Sequence, residues 1–322
     1  MVSIFHRCGA SLYNWVMSKL RLTIVALCAV VLLAGTGVAR ASASNLGLGA
    51  AHTVKITGVP TKLAITPAGR VGYREIGSGS PVLLIMGLGG SMDDWEPAFV
   101  NALAASHRVV MFDNAGMGET ASLPAPLSIV KMANETSDFI SAIHLGRTAV
   151  LGWSMGGMVA QALAVLHPGQ VSKLVLAATQ PGTGKGLPIP AAAAGKAESA
   201  SPRAVLSVLF PTTAAAAARA YVTGILGYPD FYVPSRATVA AQGLAVEQWM
   251  EGKDAVGREL GDITTPTLVA DGTVDDLDPV ANDRLIAASI RGAKLDLYPG
   301  AGHAFLFQDE ASFVPAVEHF LA

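Results

Sequence analysis

The pentapeptide Gly152-Trp153-Ser154-Met155-Gly156 constrains this chain more than any other stretch, because of what stands on either side of it. An apolar, β-branched run, Thr148-Ala149-Val150-Leu151, enters it, and a small-residue helical pattern from Gly157 to Ala164 leaves it. A serine at such a strand-to-helix turn occupies a sharp, strained corner with its hydroxyl projecting outward. The glycines two residues before and after it remove side chains that would collide as the strand doubles back into the helix. The backbone N–H of Met155, at the helix start, then points to where an oxyanion would form. This setting makes Ser154 a candidate nucleophile. The bare five-letter pattern would not, in a chain with 34 glycines.

Strands and helices alternate around this point. Lys62–Thr66 and Arg70–Ile76 read as hairpin strands closing one edge of a sheet. Pro81–Met86 is a continuous apolar run, as expected of a strand covered on both faces, and it ends in Gly87-Leu88-Gly89-Gly90. A helical pattern follows Trp95 to about Ala105, then a strand, Arg108–Phe112, and the turn Asp113-Asn114-Ala115-Gly116-Met117-Gly118. Residues 128–145 read as a helix, and Lys173–Ala178 as the strand after the serine helix. Such alternation predicts an α/β fold, a mostly parallel central sheet with helices on both faces.

The alternation breaks over residues 180–262. Gln180–Ser199 reads as a loop, rich in Gly, Pro and Ala. Helices are expected from Ser201-Pro202, from Thr212 or Thr213 to near Gly227, and from Ser235 to about Met250. We expect this stretch to be a helical cap inserted between a first core part, 44–179, and a second, 263–322. Most of its apolar residues, Ile225 among them, are expected to pack it onto the core, with a few, Phe210 and Tyr221 the candidates, lining a pocket. The second core part holds strands at Pro266–Ala270 and Ala293–Tyr298 and a last helix from Ser312.

Ahead of this lies Leu22–Ala34, an almost unbroken apolar run preceded by Lys19 and Arg21. It is short for a membrane span, which needs about 20 apolar residues, and fits the core of a signal peptide. Small-residue sites at Ala39-Arg40-Ala41 and Ala41-Ser42-Ala43 predict a leader of residues 1–43 and an exported protein; an uncleaved anchor is the alternative. Met17-Ser18-Lys19 suits a leader's start better than the aromatic-containing residues before it, which makes Met17 an alternative start. Both cysteines, Cys8 and Cys28, fall in this leader, so the mature chain is expected to have no thiol chemistry and no disulfide. Only 14% of residues are charged, with a net charge of −2 and no basic run, which argues against a nucleic-acid partner.

A serine hydroxyl needs a base, and the base needs an orienting acceptor. Of seven histidines, His303 stands apart. It follows the last expected strand in the glycine-bracketed loop Pro299-Gly300-Ala301-Gly302-His303, at the edge where parallel-sheet sites form. The acceptor is expected in the loop after the preceding strand, where Asp271, Asp275, Asp276 and Asp278 are all candidates.

From about Gly72 onward the chain resembles the α/β-hydrolase superfamily, particularly its bacterial esterase-like members. The motifs that carry the resemblance are GWSMG, LLIMGLGGS, DNAGMG, PTLVADGTVDDLDP and YPGAGHAFLFQ, in the order Ser…Asp…His. The resemblance implies that Asp275 is the acid of a Ser154–Asp275–His303 triad. It also implies that the backbone N–H of Leu88 joins that of Met155 in an oxyanion hole. Two positions depart from the pattern. Met86 stands where many members have His before the glycine of the oxyanion loop, and Ala115 where many have Arg. Met86 cannot make a histidine's hydrogen bonds, which leaves the support of that loop open.

The expected activity is cofactor-independent hydrolysis of small-molecule carboxylic esters through an acyl-enzyme, with no metal. Within the same fold the alternatives are a lactonase, a C–C bond hydrolase or a cofactor-free perhydrolase. From another class, the alternative is a non-catalytic, ligand-binding pseudo-hydrolase.

Overall fold

The computed structural model describes residues 55–197, 199 and 201–322. The expected leader, with Met17, Cys8 and Cys28, lies outside the described residues.

Eight strands form one sheet: β1 (Lys62–Thr66), β2 (Gly69–Ile76), β3 (Pro81–Ile85), β4 (Arg108–Phe112), β5 (Thr148–Trp153), β6 (Val171–Ala177), β7 (Thr267–Gly272) and β8 (Lys294–Tyr298). Their spatial order is β1-β2-β4-β3-β5-β6-β7-β8. The pairs β1/β2 and β2/β4 are antiparallel and all other neighbours are parallel. The expected hairpin at one edge of a mostly parallel sheet is therefore present.

The helices are α1 (Pro97–Leu103), α2 (Ile129–Ala142), α3 (Met155–Leu166), α4 (Ala191–Ala197), α5 (Pro202–Leu209), α6 (Ala215–Ile225), α7 (Arg236–Met250), α8 (Ala281–Ser289), α9 (Phe305–Gln308) and α10 (Glu310–Leu321). Both faces of the sheet are covered, which is why β3 is apolar without alternation. Leu83 and Ile85 pack with Ile129, Met132 and Phe139 of α2 and Met158 and Leu163 of α3. Val82 and Leu84 face the other way, against Phe99 and Leu103 of α1 and Phe313 and Val317 of α10. Each such side chain contributes about 1.5–3 kcal/mol on burial.

Helix starts follow local chemistry where a hydroxyl is in place. Ser128 Oγ accepts from Lys131 N–H at 3.2 Å, and Ser235 Oγ from Thr238 N–H at 3.1 Å. Elsewhere the sequence reading misplaced the start or missed the helix. Thr212 and Thr213 cap no α-helix; they lie in a 3₁₀ turn, Thr212–Ala214, and α6 begins at Ala215. The stretch Gln180–Ser199 is not all loop, because its alanines form α4. The helix α8, between β7 and β8, was not anticipated, and α10 begins at Glu310 rather than Ser312.

The segment carrying α4 to α7 lies against the loops that follow β3 and β8. Tyr221 OH donates to Asp94 O at 3.1 Å and Tyr228 OH to Trp95 O at 3.0 Å. Ala304 N–H donates to Leu209 O at 2.9 Å. Phe210, Tyr221 and Ile225 are buried in this contact, with the Tyr221 ring stacked on Phe307 at 5.0 Å.

One residue of α2 is out of keeping with its surroundings. Glu135 is buried, and burial together with the nearby Asp138 pushes its carboxyl up to about 8, opposed by the N–H of Ala115. Between the ordinary carboxylate range and about pH 8, the folded chain holds a proton that the unfolded chain has released. Stability then falls as pH rises through that window. Glu135→Gln should flatten this fall, as measured by denaturant unfolding at a series of pH values from about 5 to 8. An unchanged slope would place the titration elsewhere.

Candidate active site

Strand β5 runs into α3 through Ser154, whose backbone sits at φ 58° and ψ −123°. A non-glycine residue in this region costs on the order of 1–3 kcal/mol, so its neighbours must hold it there. Ser154 N–H donates to Ala177 O of β6 at 2.9 Å. Its carbonyl accepts from Gly157 N–H at 2.9 Å and from Thr179 Oγ1 at 2.7 Å. The turn also demands close backbone approach. A Cβ on Gly152 would fall on the carbonyl of Gly156, and one on Gly156 would fall on the carbonyl of Ile85. The first turn of α3 therefore rests directly on the end of β3. As the first residue of α3, Met155 has no preceding helical turn to accept its N–H.

The loop Gly87–Gly90 runs beside the serine: a Cβ placed on Gly87 would lie 3.7 Å from Ser154 Oγ. Side chains from distant elements hold this loop. Asn114 Nδ2 donates to Met86 O at 2.9 Å, and Gly89 N–H donates to Gln242 Oε1 of α7 at 2.9 Å. Just beyond, Met92 N–H donates to Asp113 Oδ1 at 2.8 Å. Burial pushes Asp113 up to about 6, and pushes Asp94, which ends the 3₁₀ turn Met92–Asp94 and accepts from Ser91 N–H at 2.8 Å, up to about 7. Met86 joins this network through its backbone carbonyl, and its side chain packs beside Gly90, where a Cβ would lie 2.8 Å from Met86 Cγ.

His303 is buried, and its ring nitrogen Nδ1 lies 2.6 Å from Asp275 Oδ2. The other oxygen of Asp275 accepts from Leu277 N–H at 2.6 Å and Asp278 N–H at 2.8 Å. With Oδ1 held by two backbone N–H groups, an ionised Asp275 offers Oδ2 as an acceptor to His303, the arrangement in which Nδ1 carries the proton and Nε2 is the acceptor. Trp153, next to the serine, donates from Nε1 to His303 O at 3.0 Å, and the two rings lie 5.7 Å apart.

Of the four candidate aspartates, Asp271 at the end of β7 and Asp275, Asp276 and Asp278 in the loop after it, Asp275 is the one that meets His303. Asp276 is 60% exposed and faces Lys196 at 3.8 Å. Asp271 and Asp278 are buried and turn instead toward Asp283 of α8. Ligand atoms of these three lie within 4.8 Å of one another, the one group among the described residues spaced to hold a cation. Burial first, then the charge of neighbouring carboxylates including Asp275, raises all three carboxyls, Asp283 to about 8. Asp283, Asn114, Gln242 and Thr179 were not singled out from the sequence. Asn114 had a signal, its place in the turn DNAGMG; the other three had none.

Residues 80–310 match the family described as alpha/beta hydrolase fold, and the chain belongs to that family. A relative from Variovorax paradoxus (strain S110), "Putative carbamate hydrolase RutD", is 30% identical over 251 residues, which is 76% of this chain and 92% of that protein. "Putative non-heme bromoperoxidase BpoC" of Mycobacterium tuberculosis (strain ATCC 25618 / H37Rv) is 38% identical over 109 residues, 34% of this chain and 41% of that protein. A solved alpha/beta hydrolase fold protein from Chitinophaga pinensis superposes with a TM-score of 0.75 at 25% identity, over 83% of this chain and 99% of the other.

The contact between α3 and β3 has a direct test. Gly156→Ala should destabilise the protein by more than the roughly 1–3 kcal/mol typical of overpacking, because the obstacle is backbone. Thermal unfolding reads this, and a melting temperature equal to wild type would contradict the close approach.

Proposed function

We propose that the chain is a serine hydrolase that cleaves carboxylic esters through an acyl-enzyme. The observation that carries this reading is the Asp275–His303 contact, joined through Trp153 to a serine held at positive φ. In this mechanism His303 Nε2 takes the proton from Ser154 Oγ as the oxygen attacks the substrate carbonyl. The tetrahedral oxyanion is accepted by the backbone N–H groups of Leu88 and Met155. Such donors are each worth about 10²–10³ in rate in related chemistry. His303 then passes the proton to the leaving alcohol, and a water activated by the same imidazole releases the acid. Asp275 keeps the ring in the productive tautomer and stabilises the imidazolium.

In the same proposal the segment from α4 to α7 acts as a cap over the strand ends and shapes the acyl pocket, and residues 1–43 export the protein. N-terminal sequencing of the mature, exported chain tests the leader, with a first residue near 42 to 44 expected.

A second reading, cleavage of a carbamate, is favoured by the name of the Variovorax relative. It needs the same serine, base and oxyanion donors and differs in the substrate's nitrogen. A matched panel of p-nitrophenyl esters and carbamates separates the two by kcat/KM.

Ser154→Ala should abolish labelling by a fluorophosphonate and lower kcat by about 10⁶-fold. Labelling of the variant at another serine would defeat the assignment. Asp275→Asn should lower kcat by about 10⁴-fold with the fold intact, whereas Asp276→Asn should stay near wild type. The reverse pattern would put the acid one residue further along.

A further inference from the structure

Gln242 lies in the middle of α7, is 0% exposed, and reaches the loop beside Ser154 from 153 positions away in the chain. Gly89 N–H donates to its Oε1, which fixes the orientation of the carboxamide, since two N–H groups cannot face each other. Its Nε2 is consequently turned away from Gly89, and it is buried with no acceptor among the described residues. A buried donor left unpaired costs roughly 1–3 kcal/mol. The same helix face could have presented an apolar side chain without that cost. Gln161, on α3, makes a useful contrast: its donor is satisfied by Gln180 O and only an acceptor is left over. At Gln242 the arrangement is inverted: the free group is a donor, on the side chain whose oxygen holds Gly89, the residue after Leu88.

We propose that Gln242 is a substrate-binding residue. Its carbonyl pins the oxyanion loop, and its Nε2 donates to an oxygen acceptor that the substrate carries beside the scissile carbonyl. This rests on the serine hydrolase reading above and narrows it. The preferred substrates are esters with a second oxygen near the reacting carbon, on either the acyl or the alcohol side. Helix α7 thereby couples two events, since the residue that reads the substrate also holds the loop that stabilises the oxyanion.

Two isosteric pairs test this. p-Nitrophenyl methoxyacetate and butyrate differ by an oxygen for a methylene in the acyl chain, and 2-methoxyethyl and butyl acetate differ likewise in the alcohol. Each kcat/KM is divided by the ester's hydroxide rate constant to remove intrinsic reactivity. Wild type should favour the oxygen-containing member of at least one pair by about tenfold, and the pair that responds identifies the side. Gln242→Met should bring that ratio close to 1 and also lower butyrate kcat, because Gly89 loses its acceptor. The ratio is insensitive to a general loss of active protein, because both members of a pair suffer it equally. Corrected wild-type ratios near 1 in both pairs overturn the proposal even if Gln242→Met fails to fold, and so does a ratio unchanged in that variant. Fluorophosphonate labelling of wild type at Ser154 separates the two levels. Its absence would overturn the hydrolase reading itself, while labelling with ratios near 1 overturns only the role of Gln242.

Discussion

The contact on which the rest of this structure depends is the one between the first turn of α3 and the end of β3. Gly156 lets that turn rest against the carbonyl of Ile85, and Gly152 lets the strand fold back over Gly156. The geometry leaves Ser154 in a backbone region that side-chain-bearing residues avoid. The strain is held in place by neighbours on three sides, Ala177 and Thr179 from the adjoining strand end and Gly157 from the helix. Loosening any of them would let the serine relax away from the loop Gly87–Gly90. The position of one hydroxyl is thus set by the packing of two glycines.

A second constraint is electrostatic. The site is ringed by carboxyl groups that the fold has taken out of water: Asp94 and Asp113 beneath one loop, and Asp271, Asp278 and Asp283 behind the other. Burial raises all five, which favours their neutral forms. Asp275 differs from them in its partners, two backbone N–H groups and an imidazole. One acidic loop therefore contains groups with separate tasks, distinguished by what each oxygen meets and not by residue type.

A third is the way the helical segment is tied to the core. Its tyrosines anchor on the carbonyls of Asp94 and Trp95, and Gln242 reaches the loop beside the serine. The apolar residues expected to line a pocket, Phe210 and Tyr221, are instead committed to this docking, with Tyr221 stacked on Phe307. The segment's polar contacts thus bear on the site more directly than its aromatic ones.

Much of this was legible in the chain itself, where the physics is local. Continuous apolar runs marked strands covered on both faces, the hydroxyl at Ser235 marked a helix start, and glycines around Ser154 marked a sharp strand-to-helix turn. The loops bearing Asp275 and His303 could be placed at one sheet edge because strand order and direction follow from alternation. What the chain could not disclose was any contact whose partner lies far along it. Spacing alone left four aspartates open and only the family resemblance pointed to Asp275; the folded path turns Asp275 to His303 while sending Asp276 to solvent. The helices α4 and α8 escaped notice because short helices are stabilised by what they pack on more than by their own residues. Asn114 and Gln242 hold the loop after β3 by hydrogen bonds spanning 28 and 153 residues. Local sequence determines which segments become strands, turns and helices. Tertiary packing alone decided which buried polar groups found one another, because a hydrogen bond depends on distance in space and leaves no periodicity in the sequence.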